Sequence, residues 1–387
     1  MSSLNNTIIL YAAPMSLYSG KVRSYLRKHG IAFDEVMPGQ TSYRETVYPQ
    51  TKRGIVPVIQ FDDGSIIQDS VDIIDHFERS GEGRFSVYPQ TPRQLSAALM
   101  LDMFGSEGLL KVAMHYRWNF LDDNLDFIRQ EFGDHILPGG SVDAIRDIAE
   151  VGMKPMQAYL PLLGIDEHSI PAIEAQYHEL LALLNAHFQD HPYLLGGLPS
   201  VADYGLFAPL YAHLSRDPHP AHIMKQKAQR VYRWIERMNA ENRDMPEFGD
   251  YPEAYFANDE IPETLQAILA MVGRDYLPEL TTTVNEIDTW LASHSVEPGD
   301  CVTAKPKLKA LKPMRFNFRG IVMTGMVIPY RLYMLQRITA CFDQCSDEQQ
   351  QQLREFYQPL GLAKWLTLKA SRRVERPNHF EVWGECR

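Results

Sequence analysis

Gly54-Ile55-Val56-Pro57-Val58-Ile59-Gln60-Phe61-Asp62-Asp63-Gly64-Ser65-Ile66-Ile67-Gln68-Asp69-Ser70 is the stretch on which the reading of this 387-residue chain turns. Val58–Phe61 and Ser65–Ile67 are β-rich runs on either side of an Asp-Gly turn signal, so they are expected to pair as a hairpin. Asp69-Ser70 then opens a helix whose apolar residues Val71, Ile73, Ile74 and Phe77 fall on one stripe. Pro57 stands at the very start of a strand, where a ladder donor can be missing and a cis bond is tolerated. Val56 is then left to offer both its backbone polar groups to something outside the sheet. A helix N-terminus with a free hydroxyl lies nearby and suits a carboxylate. Together these features can hold a small peptide, its backbone against Val56 and its carboxylate against Ser70.

Val56-Pro57, a hairpin and Asp69-Ser70, in this order and spacing, resemble the glutathione-binding half of the glutathione transferase family. The resemblance extends over roughly the first 240 residues. It implies that glutathione lies along Val56 and Pro57 as co-substrate, with its γ-glutamyl end at Asp69 and Ser70. It also implies a homodimer in which the first domain of one subunit meets the second domain of the other. Lys52 and Arg53, just before Gly54, are the nearest cations for the second carboxylate of the peptide. Their competing reading is a pair of solvated loop charges.

The rest of the first domain, residues 1–88, agrees with a thioredoxin-like α/β unit. Thr7–Ala12 reads as a buried strand broken by Pro14, Lys21–His29 as a helix stopped by Gly30, and Ile31–Val36 as a second strand. Strand, helix, strand, then hairpin and helix gives a small mixed sheet. The loop Ala13–Ser19 then faces the same edge as Pro57 and Ser70, so the reactive group is expected there. A hydroxyl near a helix N-terminus can donate to a thiolate and lower the pKa of the thiol. The resemblance assigns that role to Ser16, because Pro14-x-Ser16 followed by Lys21-Val22-Arg23 resembles the serine-type pattern; Tyr11 is the alternative. The structural roles open to these groups are a helix cap for Ser16 and packing for Tyr11 and Tyr18. No cysteine precedes Cys301, so this loop has no thiol of its own for disulfide exchange.

Composition narrows the class. Hydrophobic residues make up 45% and charged residues 22%, as in soluble globular chains. The net charge of −11 argues against nucleic acid or an anionic membrane as the main partner. The runs Ile8–Ala13 and Ile321–Pro329 are too short for a signal sequence or a bilayer span. The four cysteines, Cys301, Cys341, Cys345 and Cys386, form no disulfide framework, which fits a cytoplasmic location. Cys341 and Cys345 read as core thiols rather than a metal pair, and no metal site is expected.

Residues 91–242 read as an all-helical second domain. Pro92 starts a long helical pattern, softly broken at Gly105 and Gly108, that runs into His115-Tyr116-Arg117-Trp118. Those four residues place polar-tipped rings beside a cation, as the walls of an acceptor-substrate pocket do. Their competing reading is an aromatic core with a surface arginine. Ser200 and Asp203 form an S-x-x-D capping box before Val201–Leu214, a helix apolar nearly all round and therefore central. Asp203 is thus structural, and the segment resembles the capping-box helix of the family. Residues 121–169 exceed what the family pattern needs and are expected to be an insertion over the acceptor cleft. Residues 243–387 read as a mostly helical extension packed on the second domain. Helices are expected at Glu263–Gly273, Tyr276–Ser293, Tyr330–Phe342 and Asp347–Tyr357. The strand patterns Met314–Phe318 and Phe380–Trp383 are expected to pair with each other. A basic loop with Lys305, Lys307, Lys309 and Lys312 precedes them.

Overall fold

A computed structural model describes residues 8–305 and 308–387; Thr7 and Lys307 of the expectations above lie outside the described residues. The chain begins with β1 (Ile8–Tyr11), α1 (Leu17–His29), β2 (Phe33–Val36), α2 (Tyr48–Thr51), β3 (Val58–Gln60), β4 (Ile66–Gln68) and α3 (Ser70–Ser80). The sheet order is β2-β1-β3-β4, with β1 parallel to β2 and antiparallel to β3, and β3 antiparallel to β4. Alternation along the strands sorts the side chains. Ile8, Leu10 and Ile59 join Val22, Tyr25, Leu26, Ile74 and Phe77 under α1 and α3. Tyr11, Val58 and Ile66 face the other way, onto Tyr43 and Val47. The first helix starts at Leu17 rather than Lys21, because Ser16 caps it four residues earlier than expected. It ends at Gly30, in the left-handed region at φ 66°.

Eight further helices follow: α4 (Pro92–Met103), α5 (Leu110–Trp118), α6 (Leu121–Ile136), α7 (Val142–Gln157), α8 (Ile170–Asp190), α9 (Val201–Ala212), α10 (Pro218–Lys227) and α11 (Gln229–Asn239). A wide helical turn at Phe104–Gly108 joins α4 to α5, where the sequence showed its two glycines. Gly105 lies so close to α9 that a Cβ there would meet the Gly205 carbonyl carbon at 2.3 Å. Two glycines thus let α9 run through the middle of this domain, buried along nearly its whole length. Its start is held by Asp203, which accepts from the Ser200 and Leu194 amides (2.9 and 3.0 Å) and from Trp234 Nε1 (3.1 Å).

The two domains meet along α1, and one of the contacts is titratable. Lys28 is buried, and its ammonium donates to the Asn242 carbonyl at 2.7 Å. Burial, and then the nearby Arg237, bring its pKa down from 10.5 to about 7. A lysine whose folded pKa lies below its unfolded value makes the folded state bind fewer protons. Stability therefore climbs as pH rises from about 7 towards 10.5. Between pH 7 and pH 9 the unfolding free energy should rise by on the order of 2 kcal/mol more in the parent chain than in Lys28→Met. Parallel stability–pH curves for the two proteins would remove the assignment.

The last third adds α12 (Glu263–Leu291), β5 (Pro313–Phe318), β6 (Ile321–Met326), α13 (Tyr330–Asp343), α14 (Asp347–Tyr357), β7 (Arg372–Glu375) and β8 (Val382–Cys386). Three expectations are corrected here. The two helices expected from Glu263 to Ser293 are one helix of 29 residues. Gly273 does not stop it; a Cβ there would meet the Leu360 carbonyl at 2.7 Å, so the glycine serves close packing. The strands at Met314–Phe318 and Val382–Cys386 do not pair with each other, since each folds back on its own neighbour, β5 on β6 and β8 on β7. Local hairpin closure orders less chain than a pairing across some 65 residues. Finally, the extension packs on both domains. Tyr333 donates to Asp72 (2.6 Å), and Arg337 reaches Asp75 (2.8 Å) on α3, while Ser96 of α4 bonds Tyr357 (2.9 Å).

Candidate active site

Ser16 is half-buried at the N-terminus of α1, in an extended conformation, with its Oγ accepting from the Ser19 amide at 3.3 Å. Its own proton is not committed to any described residue, and the 13-residue helix behind it favours negative charge at this end. Ser19 is buried and accepts from the Ala13 amide (3.2 Å), which closes the loop on itself. Tyr11 is buried in the opposite face of the sheet, and its hydroxyl donates to Gln60 at 3.0 Å. Gln60 pairs with Ile9, two residues back along β1, so this hydroxyl is used away from the loop. Tyr18 donates to Glu107 (3.1 Å) and to the Ser106 carbonyl (3.2 Å); burial first, then Glu107, hold its pKa well above the usual value. Tyr11 and Tyr18 thus spend their protons on Gln60 and on Glu107 and Ser106, whereas the Ser16 hydroxyl donates to no group among the described residues.

Across from this loop, Val56–Pro57 is cis, and the Val56 backbone groups have no hydrogen-bond partner among the described residues. Asp69 is the N-cap of α3 at φ 103°, with Oδ1 accepting from the Val71 amide at 2.9 Å. Ser70 is buried beside it, and its hydroxyl makes no hydrogen bond among the described residues. Lys52 is exposed and caps α2 at φ 52°. Arg53 is buried and takes no part in a solvated face.

The carboxylate and guanidinium of this edge are already engaged, by residues from the far end of the chain. Arg376 lies 3.0 Å from Asp69 Oδ2, and Tyr330 donates to Asp69 Oδ1 at 3.0 Å. Arg376 also donates to Gln68 Oε1 (3.0 Å) and lies 3.5 Å from Glu381 and 3.6 Å from Asp72. Glu381 in turn grips Arg53 with both oxygens, at 3.2 and 2.6 Å. Burial pushes the Asp69 pKa up, but Arg376, the Val71 amide and Tyr330 outweigh it and hold the group below the usual range. Asp72, buried beside Asp69, is pushed up to about 6.

The quartet on α5 is interior. His115 meets Glu174 (3.0 Å) and Asn119 (2.8 Å); its pKa is lowered by burial against the pull of Glu174. Tyr116 stacks on Phe120 at 5.4 Å, and Trp118 packs on Phe132. Arg117 holds Asp217 through two bonds (2.7 and 2.9 Å) and donates to the Met15 carbonyl at 3.2 Å. Arg117 is therefore brought to the Ser16 loop, as its support from behind. The other three are not brought there. The segment 121–169 forms the antiparallel pair α6 and α7, which contacts the chain after β2 through the Gly39 amide and the His135 carbonyl (3.1 Å).

Sequence reasoning missed a buried charged group beside the loop. Glu107, Lys111, Glu279 and Arg331 surround a cavity of about 10 Å³, with room for about one water. Lys111 donates to Glu279 (2.9 Å), and Arg331 lies 2.7 Å from the other oxygen of Glu279. Burial raises the Glu279 pKa, but the two cations outweigh it and hold the carboxylate ionised. No local pattern could have exposed this group, because its members come from four separate elements. Among the described residues no cluster of three or more His, Cys, Asp or Glu is placed to hold a metal ion. No described helix is long and apolar enough to cross a membrane.

Residues 10–85 match the model of the glutathione S-transferase N-terminal domain, and residues 167–237 match that of its C-terminal domain. No curated protein matches the chain. Among solved structures, a beta-etherase of Sphingobium sp. strain SYK-6 is similar at 18% identity, covering 62% of this chain and 98% of its own, with a TM-score of 0.42. A glutathione S-transferase from Rhodospirillum rubrum F11 is 15% identical over 67% of this chain and 98% of its own, at a TM-score of 0.37. A Phanerochaete chrysosporium glutathione transferase, solved in complex with oxidized glutathione, is 12% identical over 64% of this chain and 96% of its own, at 0.35. The assignment rests on the two matched domains, each of which falls on the expected elements: the mixed sheet with its cis-proline turn, and the helical bundle around the capping box of α9. Over residues 10–85 and 167–237 the chain therefore carries the N- and C-terminal domains of glutathione S-transferases.

Proposed function

We propose that the protein is a glutathione-dependent transferase in which Ser16 stabilises the thiolate of glutathione. On this reading residues 1–88 bind the peptide, 91–242 present the acceptor, and the peptide backbone lies along Val56 and Pro57. Asp69 and Ser70 receive its γ-glutamyl end, and Lys52 and Arg53 its glycyl carboxylate. The observation that carries the reading is Ser16 itself: a half-buried hydroxyl with an uncommitted proton at the start of a 13-residue helix. The thiol proton leaves to water. The sulfur then attacks an electrophilic carbon, forming a carbon–sulfur bond while the leaving group departs with its electron pair. His115, Tyr116, Arg117 and Trp118 enter as the frame behind the acceptor side, with Arg117 bracing the loop through Met15. A cytoplasmic, reducing location is part of the reading; the four cysteines are free thiols. So is the homodimer, whose interface has to leave room for α13, which packs on α4 and reaches α3 through Tyr333 and Arg337.

The test compares two hydroxyl deletions. In Ser16→Ala the pKa of bound glutathione should return towards the ordinary ~8.5, and thiol addition at neutral pH should slow by on the order of 10²-fold. Tyr11→Phe keeps the ring in its pocket and should leave the thiolate curve in place. The measurement is thiolate absorbance against pH. An unmoved curve for Ser16→Ala beside a shifted one for Tyr11→Phe transfers the role to Tyr11.

A second reading has an observation of its own in its favour. Asp69 and Arg53 are already paired inside the chain, which suits a transferase-like module that binds glutathione weakly or only structurally, with its extension serving a protein partner. Glutathione binding without thiolate formation distinguishes it.

A further inference from the structure

The turn between β7 and β8 carries one charge of each sign to the two ends of the proposed peptide site. Arg376 sets a guanidinium on Asp69, and Glu381 sets a carboxylate on Arg53. A zwitterionic peptide would need the same two partners, its ammonium on Asp69 and its terminal carboxylate on Arg53. We infer that this turn is an internal competitor: residues 376–381 occupy the charged ends of the glutathione site, and the peptide binds only when the tip swings out. The inference rests on the glutathione reading above.

The hairpin is built so that its tip can leave while its body stays. Val374 and Trp383 are fully buried. Gln336 of α13 exchanges two hydrogen bonds with the Val374 backbone, both 2.8 Å, and Trp383 stacks on Trp290 of α12 at 5.7 Å. Between these anchors Pro377 and Asn378 are exposed. The tip itself is held mainly by charge. The Arg376 guanidinium lies over the neighbouring rings of Tyr330 and Tyr333 (5.4 and 5.7 Å), and Arg53 lies over the Phe380 ring at 4.8 Å. Glu381 is tied more firmly, because the Val302 amide donates to its carbonyl at 3.1 Å. The groups without partners among the described residues, the Val56 backbone and the Ser70 hydroxyl, are those a peptide can reach first. Lys52 is exposed on the same side.

When only an open fraction of the protein can bind, the apparent affinity falls by that fraction. Freeing either end of the site should therefore tighten glutathione binding, even though no new contact to the ligand is made. Glu381→Gln keeps the shape of the side chain and removes its charge from Arg53; Arg376→Gln frees Asp69. Arg376→Gln leaves several acidic groups without their cation and is the variant at risk of misfolding, so Glu381→Gln is the primary one. Isothermal titration with glutathione should give a dissociation constant about tenfold or more tighter for Glu381→Gln than for the parent chain. In the parent, saturating glutathione should accelerate amide hydrogen exchange at 378–381 and leave Val374 and Trp383 protected. Tight binding by the parent with no change in exchange at the tip overturns the competitor and leaves the glutathione reading standing. Weaker binding by a folded Glu381→Gln does the same, and makes the tip part of the ligand's contact surface. A variant whose tip exchanges freely, yet which binds no glutathione at millimolar concentration, overturns both.

Discussion

Lys21→Met should lower the unfolding free energy of the chain by about 3 kcal/mol. Lys21 and Asp102 are fully buried and form an ion pair that joins α1 of the first domain to α4 of the second. Ser106 lies 3.4 Å from the same ammonium. Neither side chain is exposed, so removing the lysine leaves a buried carboxylate with, among the described residues, the Ser106 hydroxyl at 3.5 Å and Arg337 at 3.7 Å to compensate. Breaking a buried pair by deleting one partner costs ~3–5 kcal/mol, and Arg337 moves the expectation to the low end. The double variant Lys21→Met/Asp102→Asn leaves no uncompensated charge and should recover most of the loss. Urea titration of the three proteins measures this. A double variant no better than Lys21→Met would show that the lysine acts by packing rather than by charge.

Asp203→Ala should cost about 4 kcal/mol, the largest single loss expected outside the proposed site. One carboxylate satisfies the Leu194 amide, the Ser200 amide and hydroxyl, and the Trp234 indole, in a place with no solvent exposure. Its removal leaves at least three buried donors unpaired, each worth ~1–3 kcal/mol, with losses that do not fully add. It also removes the start of α9, around which the second domain is packed. Asp203→Asn keeps one acceptor oxygen and should lose roughly half as much. The checks are a denaturant melt and the exchange rate of the Leu194 amide. A melt of Asp203→Ala within about 1 kcal/mol of the parent would mean that the bundle holds α9 without its cap.

The two substitutions act on parts of the chain that were unequally visible beforehand. The capping box is written in four consecutive residues, and its partners are a short loop and a nearby helix. The Lys21–Asp102 pair has no such signature, since a lysine on an expected helix face is ordinarily solvated. The same contrast runs through the site. The Val56-Pro57 turn, the hairpin and the Asp69-Ser70 helix start depend on contacts within about a dozen residues, and each is present, with the second strand shifted by one residue to Ile66–Gln68. The quartet at His115–Trp118 shows where periodicity stops helping. On α5 nearly every position is buried, so there is no polar face to read, and the destination of each polar tip depends on Glu174, Asp217 and Met15.

By itself, then, the sequence determined the thioredoxin-like sheet, the helical domain centred on Val201–Ala212, and the hydroxyl at the first helix end. These follow from strand alternation, turn chemistry and caps, which act over short separations and leave regular marks. Only the tertiary structure decided what lies on the proposed peptide site. Arg376 meets Asp69, Tyr330 meets the same carboxylate, and Glu381 meets Arg53 across 307, 261 and 328 residues. A lone arginine or glutamate in a distant turn carries no pattern for its partner. The pairing exists because the extension packs on both domains at once and delivers opposite charges to an edge already charged.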